Sequence, residues 1–327
     1  MNTIFDHYYT EEFNDAGLLT KFEIDVPAEF DYAFDVCDVL AEKCPDELAM
    51  LWCNPEGERH EFTFADIKYW SDKTAAAMQE IGIGVGDRVL LILRRHYQFW
   101  FTFIACLKIG AVCIPATFLL KEHDLEYRIN KANVKAVVCT QLGDIADVVD
   151  AVANKCPFLE YKLLVNGGFG GLLSKDTHQA EVPGPDEICT LPAEREGWID
   201  FNQKILNASQ DFNAYINAVH DPMLMYFTSG TSSNPKLVVH DHSYALAHTI
   251  TARHWHMVQP RGLHFTIADT GWGKAVWGKL FGQWLNECAI FVYDFDRFNE
   301  AEILEQIQAN KITSFCAPPT MYRMLKT

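Results

Sequence analysis

The amino-acid sequence predicts an α/β protein built from layers of parallel strands and helices. The first observation is that short apolar segments alternate with longer helical patterns in two stretches, about residues 60–165 and 222–327. The second is size, because 327 residues, 49% of them hydrophobic, suffice for at least one large core. Parallel strands joined through helices form right-handed crossovers. We therefore expect two layered parallel-sheet subdomains.

Elements of the first stretch follow from their apolar patterns. DRVLLIL predicts a buried strand, HYQFWFTFIACLKIG a largely buried helix that ends at Gly110, and AVCIPA the next strand. Leu125 and Ile129 share one face of LKEHDLEYRINKAN, which predicts an amphipathic helix. The strand KAVVCT, the helix DIADVVDAVANKC and the strand YKLLV complete the first subdomain.

The second stretch repeats the alternation after a connecting region. Gly, Pro and acidic residues weaken the pattern over about 166–221, which indicates a connection with short helices. The predicted elements after it are the strands MLMYF and KLVVH, the helix YALAHTITARHW, the strands LHFTIA and AIFVY, the helix NEAEILEQIQANK and the strand ITSFCA.

Charge and cysteine content exclude several classes of partner and site. A formal net charge of −17 argues against nucleic acid as the main partner, because proteins that follow its backbone need surplus Lys and Arg. The ten cysteines are scattered without a CxxC pair, which predicts reduced, buried thiols. The two His-x-His pairs have no carboxylate or cysteine at ligand spacing, so no metal site is predicted.

Neither a targeting segment nor a membrane span is predicted. The acidic N-terminus MNTIFDHYYTEEFNDAG has neither the basic nor the apolar region of a signal peptide. The longest apolar run, Phe99 to Leu107, stops at Lys108 and has half the length that a membrane span needs. We expect a cytoplasmic protein without stable membrane insertion.

A hydroxyl-rich loop lies between the predicted strands MLMYF and KLVVH. Residues 228–236 combine five Ser or Thr side chains, one glycine and one lysine. An ordinary surface turn has a similar composition. The P-loop pattern fails, because Pro235 stands where its second glycine is needed and Leu237 follows Lys236. The remaining set of hydroxyl donors, free backbone N–H groups and one cation suits a polyphosphate.

Four segments, in order, resemble the adenylate-forming superfamily of acyl-CoA synthetases, luciferases and adenylation domains. YFTSGTSSNPK is similar to its phosphate-binding loop TSGTTGxPK, with Ser233 in place of the second glycine. ADTGWGKAVWGKLFGQW and APPTMYRML are similar to the acyl-pocket and alanine-proline segments of medium-chain acyl-CoA synthetases. GDRVLLILRRHYQFWFTFIACLKIGAVCIPA is similar to the family's first subdomain.

The resemblance implies that residues 1–327 are part of the family's N-terminal AMP-binding domain. Nothing here matches the later glutamate segment, the ribose-binding aspartate or the C-terminal domain with its adenylation lysine. We therefore expect a region truncated before the C-terminal domain, with no complete catalytic set and no thioester formation by itself. Apolar surface left near Thr327 is expected to favour self-association.

The resemblance also implies a reaction and its ligands. The parent family consists of AMP-forming acid–thiol ligases of fatty-acid metabolism, which use ATP, Mg²⁺ and coenzyme A with a small-molecule carboxylate. Nucleotide and phosphate binding is implied for Thr228, Ser229, Gly230, Thr231, Ser232 and Lys236. A pocket for a small to medium apolar acyl group is implied for His264, Asp269, Gly271, Trp272 and Trp277.

Each implied pocket residue also has a purely structural explanation. His264 lies on a predicted buried strand, where a hydrogen-bonded core histidine is common, and a Trp beside a turn usually packs in a core. Three functional classes remain open. The chain is the large N-terminal region of an acyl-CoA synthetase, a non-catalytic nucleotide- or acyl-binding fragment, or an adenylation domain that loads a carrier protein.

Overall fold

The computed structural model describes residues 4–167, 192–228 and 234–326. Within them the chain forms a two-stranded hairpin, a seven-stranded sheet and a five-stranded sheet. The predicted α/β class with layered, mainly parallel sheets is confirmed. No described helix is both long enough and apolar enough to cross a bilayer.

The strands of these sheets, in chain order, are β1 Tyr9–Phe13, β2 Leu19–Ile24, β3 Leu48–Cys53, β4 Arg59–Thr63, β5 Arg88–Ile92, β6 Val112–Pro115, β7 Val134–Thr140, β8 Tyr161–Val165, β9 Ile199–Asp200, β10 Pro222–Thr228, β11 Lys236–Asp241, β12 Leu263–Thr266, β13 Ala289–Tyr293 and β14 Ser314–Cys316. Each predicted strand matches one of them.

The α-helices are α1 Phe5–Tyr8, α2 Val39–Lys43, α3 Phe64–Glu80, α4 Gln98–Lys108, α5 Glu122–Ala132, α6 Ile145–Ala153, α7 Phe201–Asn207, α8 Ser243–Ala247, α9 Gly273–Val276, α10 Gly282–Leu285, α11 Glu300–Ala309 and α12 Pro319–Met324. Among the described residues, π-helical turns cover Ala33–Asp38, Thr251–Trp255 and Trp277–Phe281. Helix α3 begins with a capping box in which Thr63 and Asp66 exchange side-chain and backbone hydrogen bonds.

The seven-stranded sheet has the order β11-β10-β6-β5-β7-β8-β9 and is parallel except for the β10–β11 hairpin. The five-stranded sheet has the order β14-β12-β13-β3-β4 and is parallel except for β3–β4. Each sheet contains strands from both sides of the connecting region at 166–221. The division into two sequence-contiguous subdomains therefore does not coincide with the division into sheets.

Alternating side chains along the strands pack the sheets into five layers. Val89 and Leu91 of β5 join the largest core, which contains α3, α4 and one face of the five-stranded sheet. Leu90 and Ile92 point the other way, into a core with α5 and α6. The outer face of the five-stranded sheet packs against α11 through residues such as Ile303. The five layers are therefore, in order, α5 and α6, the seven-stranded sheet, α3 and α4, the five-stranded sheet, and α11.

Candidate functional site

The hydroxyl-rich loop connects the two strands of the β10–β11 hairpin. Thr228 lies opposite Lys236 in the last cross-strand pair of the hairpin. The predicted placement between two strands is therefore correct. Ser229, Gly230, Thr231 and Ser232 lie outside the described residues, so their predicted contacts with phosphate remain predictions.

A cavity of about 590 Å³ opens beside this end of the hairpin. Its wall combines the ends of several elements that are distant in sequence. The lining residues are Pro115, Ala116, Thr117, Arg128, Tyr226, Phe227, Thr228, Pro235, His240, Tyr244, Gly271, Trp272 and Gly273. Ala116 and Thr117 directly follow β6, so the cavity lies at the carboxyl edge of parallel strands, where α/β proteins commonly bind ligands.

Gly271 lets two backbone segments approach each other at this edge. A Cβ atom at Gly271 would overlap the backbone nitrogen of Thr117, so any other residue would push the segments apart. The Gly271 N–H donates to Asp269 Oδ1 at 2.9 Å, and the Trp272 N–H donates to the Asp269 carbonyl at 3.1 Å. Asp269 thus shapes the turn that places Gly271 and Trp272 in the cavity wall.

Aromatic rings form much of the remaining wall. The ring centroids of His240 and Tyr244 are 4.0 Å apart, and those of Tyr226 and His240 are 6.0 Å apart. Burial lowers the pKa of His240 and raises the pKa of Tyr244 to about 12. Both rings are therefore neutral near pH 7, and they offer ring faces and neutral polar atoms to a ligand.

Two cations stand near the hairpin end in different positions. Lys236 is exposed and does not line the cavity. Arg128, on α5, is half-buried and does line it, with its guanidinium carbon 4.8 Å from the centre of the Phe227 ring. The positive charge in the cavity wall therefore comes from Arg128, whereas Lys236 is an exposed charge paired across the hairpin with the lining residue Thr228.

The structure brings only part of the predicted acyl pocket into this wall. Gly271 and Trp272 line the cavity, and Trp272 is 61% exposed at its rim. The Asp269 carboxylate lies 3.9 Å from Arg95 Nη1, and its Oδ2 is buried without a hydrogen bond to any described residue. Asp269 acts on the wall through its turn rather than as a lining residue.

Trp277 and His264 are not among the lining residues of the cavity. The Trp277 ring stacks with His248 and His256, at centroid distances of 5.4 and 5.9 Å. His264 is fully buried in β12, and its two ring nitrogens lie 2.7 Å from Ser314 Oγ and 2.9 Å from Thr266 Oγ1. Burial lowers its pKa to about 3, so it is a neutral core side chain. A pocket role for either remains a prediction.

Several lining residues were not singled out from the sequence. Tyr226, His240, Tyr244 and Arg128 belong to β10, β11, α8 and α5, and Thr117 lies in the loop after β6; the tertiary structure brings these segments together. The apolar face of α5 predicted its packing but did not indicate where Arg128 would point. Among the described residues, no cluster of three or more His, Cys, Asp or Glu side chains is arranged for a metal ion.

Comparison with known proteins decides the family. The family model described as "AMP-binding enzyme" matches residues 37–327. The chain belongs to the AMP-binding enzyme family. Its curated relatives include human acyl-coenzyme A synthetase ACSM3, mitochondrial, 31% identical over 319 residues, and mouse acyl-coenzyme A synthetase ACSM5, mitochondrial, 34% identical over 307 residues. These alignments cover 95% and 92% of the chain but 50% and 48% of the relatives, so the chain spans about half their length.

Two solved structures share the fold. A Brucella canis acyl-CoA synthetase aligns with a TM-score of 0.74 at 20% identity, covering 91% of this chain and 49% of the other. The anthranilate CoA ligase AuaEII, solved in complex with anthranoyl-AMP, aligns with a TM-score of 0.72 at 19% identity, covering 91% and 51%. These alignments confirm the layered α/β architecture.

Proposed function

We propose that this chain supplies the nucleotide- and acyl-binding region of an ATP-dependent acyl-CoA synthetase. The carboxylate oxygen attacks the α-phosphorus of ATP, and the bond to pyrophosphate breaks. The sulfur of coenzyme A then attacks the acyl carbon, and the bond to AMP breaks. Since a carboxylate is a poor acyl donor at neutral pH, the adenylate provides the leaving group.

The observation that carries this proposal is the cavity beside the hairpin end. Thr228 and Arg128 give it one hydroxyl and one cation, while Tyr226, His240 and Tyr244 give it neutral ring faces. A polyphosphate needs the first set, and an adenine or an apolar acyl group can pack on the second. In MgATP the metal supplies further charge neutralisation, and Lys236 can add to it as charge builds on the departing pyrophosphate.

The acyl group we propose is small to medium in size and apolar. The rings of Tyr226, Tyr244 and Trp272 bound the cavity, and none of its described lining residues is a carboxylate that could bind the amino group of an amino acid. Such a wall discriminates by only about 1–3 kcal/mol per methylene, so several acids of similar size are expected to bind. A carrier protein as acceptor and a purely binding role remain the alternatives.

Calorimetric titration of the 327-residue chain tests the proposal. We expect MgATP and an acyl-sulfamoyladenosine, a stable mimic of the acyl-adenylate, to bind at one site each. Analogues with fatty or branched acyl groups should bind more tightly than aminoacyl analogues. Lys236→Ala should weaken MgATP binding about 10- to 100-fold, because it removes a charged contact to phosphate. Lys131→Ala, an exposed lysine of α5 outside the cavity, is the matched control.

Turnover is measured separately from binding. With ATP, Mg²⁺, coenzyme A and a panel of carboxylates, we expect the 327-residue chain alone to release no AMP above background and to form no thioester. The missing matches to the later glutamate, aspartate and lysine motivate this expectation, since each absent contact costs about 2–4 kcal/mol of transition-state stabilisation. Failure to bind either nucleotide would refute the proposed function, whereas ordinary turnover would refute only the inactivity of the chain alone.

A further inference from the structure

The guanidinium of Arg128 is half-buried and forms no ion pair with any described residue. Its Nε is buried and has no hydrogen-bond partner among the described residues. The nearest acidic influence on it is Asp124, an exposed residue one turn earlier on α5. Burial lowers the pKa of Arg128, which means that its charged form is poorly solvated in the absence of a ligand.

Several other arginines of this acidic protein have carboxylate partners. Arg195 contacts Asp147 and Asp150 at 2.6 and 2.7 Å, and Arg253 lies 3.0 Å from Glu11. With 44 acidic and 27 basic side chains in the sequence, carboxylates are plentiful. A half-buried arginine that lines a cavity and has no such partner among the described residues is therefore suited to an anion from outside the chain.

Local packing holds Arg128 at the hairpin end. The preceding residue, Tyr127, donates its hydroxyl to the Pro235 carbonyl at 3.0 Å and so fastens α5 to the loop's C-terminal side. The Arg128 guanidinium stacks on Phe227, the residue before Thr228. These two contacts place the guanidinium beside both chain segments that enter and leave the loop.

We propose that Arg128 binds the pyrophosphate portion of the nucleotide and so acts as a second phosphate-binding cation beside Lys236. The proposal rests on the proposed function, because it assigns a ligand to the same site. A guanidinium donates two parallel hydrogen bonds to phosphate oxygens, which an ammonium cannot do. In the half-buried wall these bonds are stronger than at the exposed position of Lys236.

Two variants of Arg128 separate its charge from its ability to donate two parallel hydrogen bonds, and a third variant serves as a control. Arg128→Met keeps an unbranched stem over Phe227 but removes the charge. Arg128→Lys keeps the charge but removes the fork. Lys131→Met, on the same helix and exposed outside the cavity, is the matched control. Thermal unfolding within a few degrees of the wild type shows that each variant is folded.

The probes are inorganic pyrophosphate, MgATP and an acyl-sulfamoyladenosine, which lacks the β- and γ-phosphates. We expect Arg128→Met to weaken binding of the first two about 10- to 100-fold and to change binding of the third less than about threefold. Arg128→Lys should recover part of the loss, and Lys131→Met should bind like the wild type.

Two results would overturn the assignment of Arg128 while leaving the proposed function intact. One is unchanged pyrophosphate and MgATP binding by Arg128→Met. The other is a loss confined to the acyl-sulfamoyladenosine, which would assign Arg128 to the acyl-adenylate portion of the ligand. If the wild-type chain binds none of the three probes, the proposed function fails and this proposal fails with it.

Discussion

Two lysine side chains are completely buried but have opposite surroundings. Lys108 Nζ contacts Asp38 at 2.7 Å and Asp72 at 2.5 Å. Lys279 Nζ has no hydrogen-bond partner among the described residues and lies 5.8 Å from the centre of the Trp100 ring. A buried ammonium is stable only when it is paired. Replacing each lysine by Met should therefore change the stability of the protein differently at the two positions.

The stability of the protein should rise with pH because of Lys279. Burial, with a contribution from nearby Arg95, lowers the pKa of Lys279 in the folded protein to about 7, whereas a lysine in the unfolded chain has a pKa of about 10.4. Between these values the unfolded chain holds a proton that the folded protein has released. The free energy of unfolding then increases by about 1.4 kcal/mol per pH unit from this group.

Urea unfolding at pH 7, 8 and 9 measures this dependence. Lys279→Met keeps a similar shape without the charge, so it should be more stable than the wild type at pH 7. The difference should shrink toward pH 9. Lys131→Met, at an exposed position, should follow the wild type at every pH. Parallel pH profiles for Lys279→Met and the wild type would contradict the prediction.

At the scale of elements, Lys108 joins three helical segments. It ends α4, and its partners Asp38 and Asp72 belong to the turn Ala33–Asp38 and to α3. Lys68 contacts the same two carboxylates at 3.1 and 2.7 Å. The four side chains form a network with two cations and two anions where the segments meet.

Lys108→Met should destabilise the protein, in contrast to Lys279→Met at pH 7. Two poorly exposed carboxylates would keep only Lys68 as a partner. We expect a loss of about 3 kcal/mol, at the lower end for a broken buried ion pair because Lys68 remains. The midpoint of urea unfolding measures it. A Lys108→Met midpoint at or above that of the wild type would show that the network does not stabilise the junction.

The same lysine shows what the sequence could predict about α4. The segment HYQFWFTFIACLKIG correctly predicted a largely buried helix, although the helix ends at Lys108 rather than at Gly110. Lys108 was interpreted only as the residue that ends the apolar run Phe99 to Leu107. Its partners stand 36 and 70 residues earlier in the chain, and no local pattern relates them. Pairing of this kind is decided by tertiary packing.

The sequence likewise predicted only part of the candidate site. Apolar runs on both sides of a hydroxyl-rich segment placed it at the end of a hairpin, because strand patterns are local. Arg128 and Thr228 meet in one cavity although a hundred residues separate them. Trp277 follows a predicted pocket residue closely in sequence, yet it does not line the cavity and stacks on the imidazoles of His248 and His256.

At the scale of the whole molecule, the chain passes repeatedly between the two large sheets. β3 and β4 belong to the five-stranded sheet, the next strands to the seven-stranded sheet, and β12 to β14 return to the first. Local patterns predicted most of these strands but not this exchange. Helices α3 and α4 pack between one face of each large sheet, and this tertiary packing, which no local pattern shows, accompanies the exchange of strands.

His96 links the two sheets by hydrogen bonds. One ring nitrogen lies 2.7 Å from Thr140 Oγ1, at the end of β7, and the other lies 2.6 Å from Asp294, directly after β13. The side chain is 2% exposed, and Gly167 packs so closely on the ring that a Cβ there would overlap it. Thr140 is fully buried, and the Asp294 side chain is only 10% exposed.

His96→Ala should therefore weaken the junction between the sheets. It would leave a cavity and remove one hydrogen bond from each of two poorly solvated partners, with an expected loss of about 2–4 kcal/mol. His220→Ala is the matched control, because His220 contacts Asp241 at a similar distance of 2.8 Å but its side chain is 81% exposed. That variant should stay within about 0.5 kcal/mol of the wild type. Since His96 joins separate sheets whereas His220 joins neighbouring surface segments, equal urea midpoints for the two variants would show that the sheets are held together by apolar packing alone.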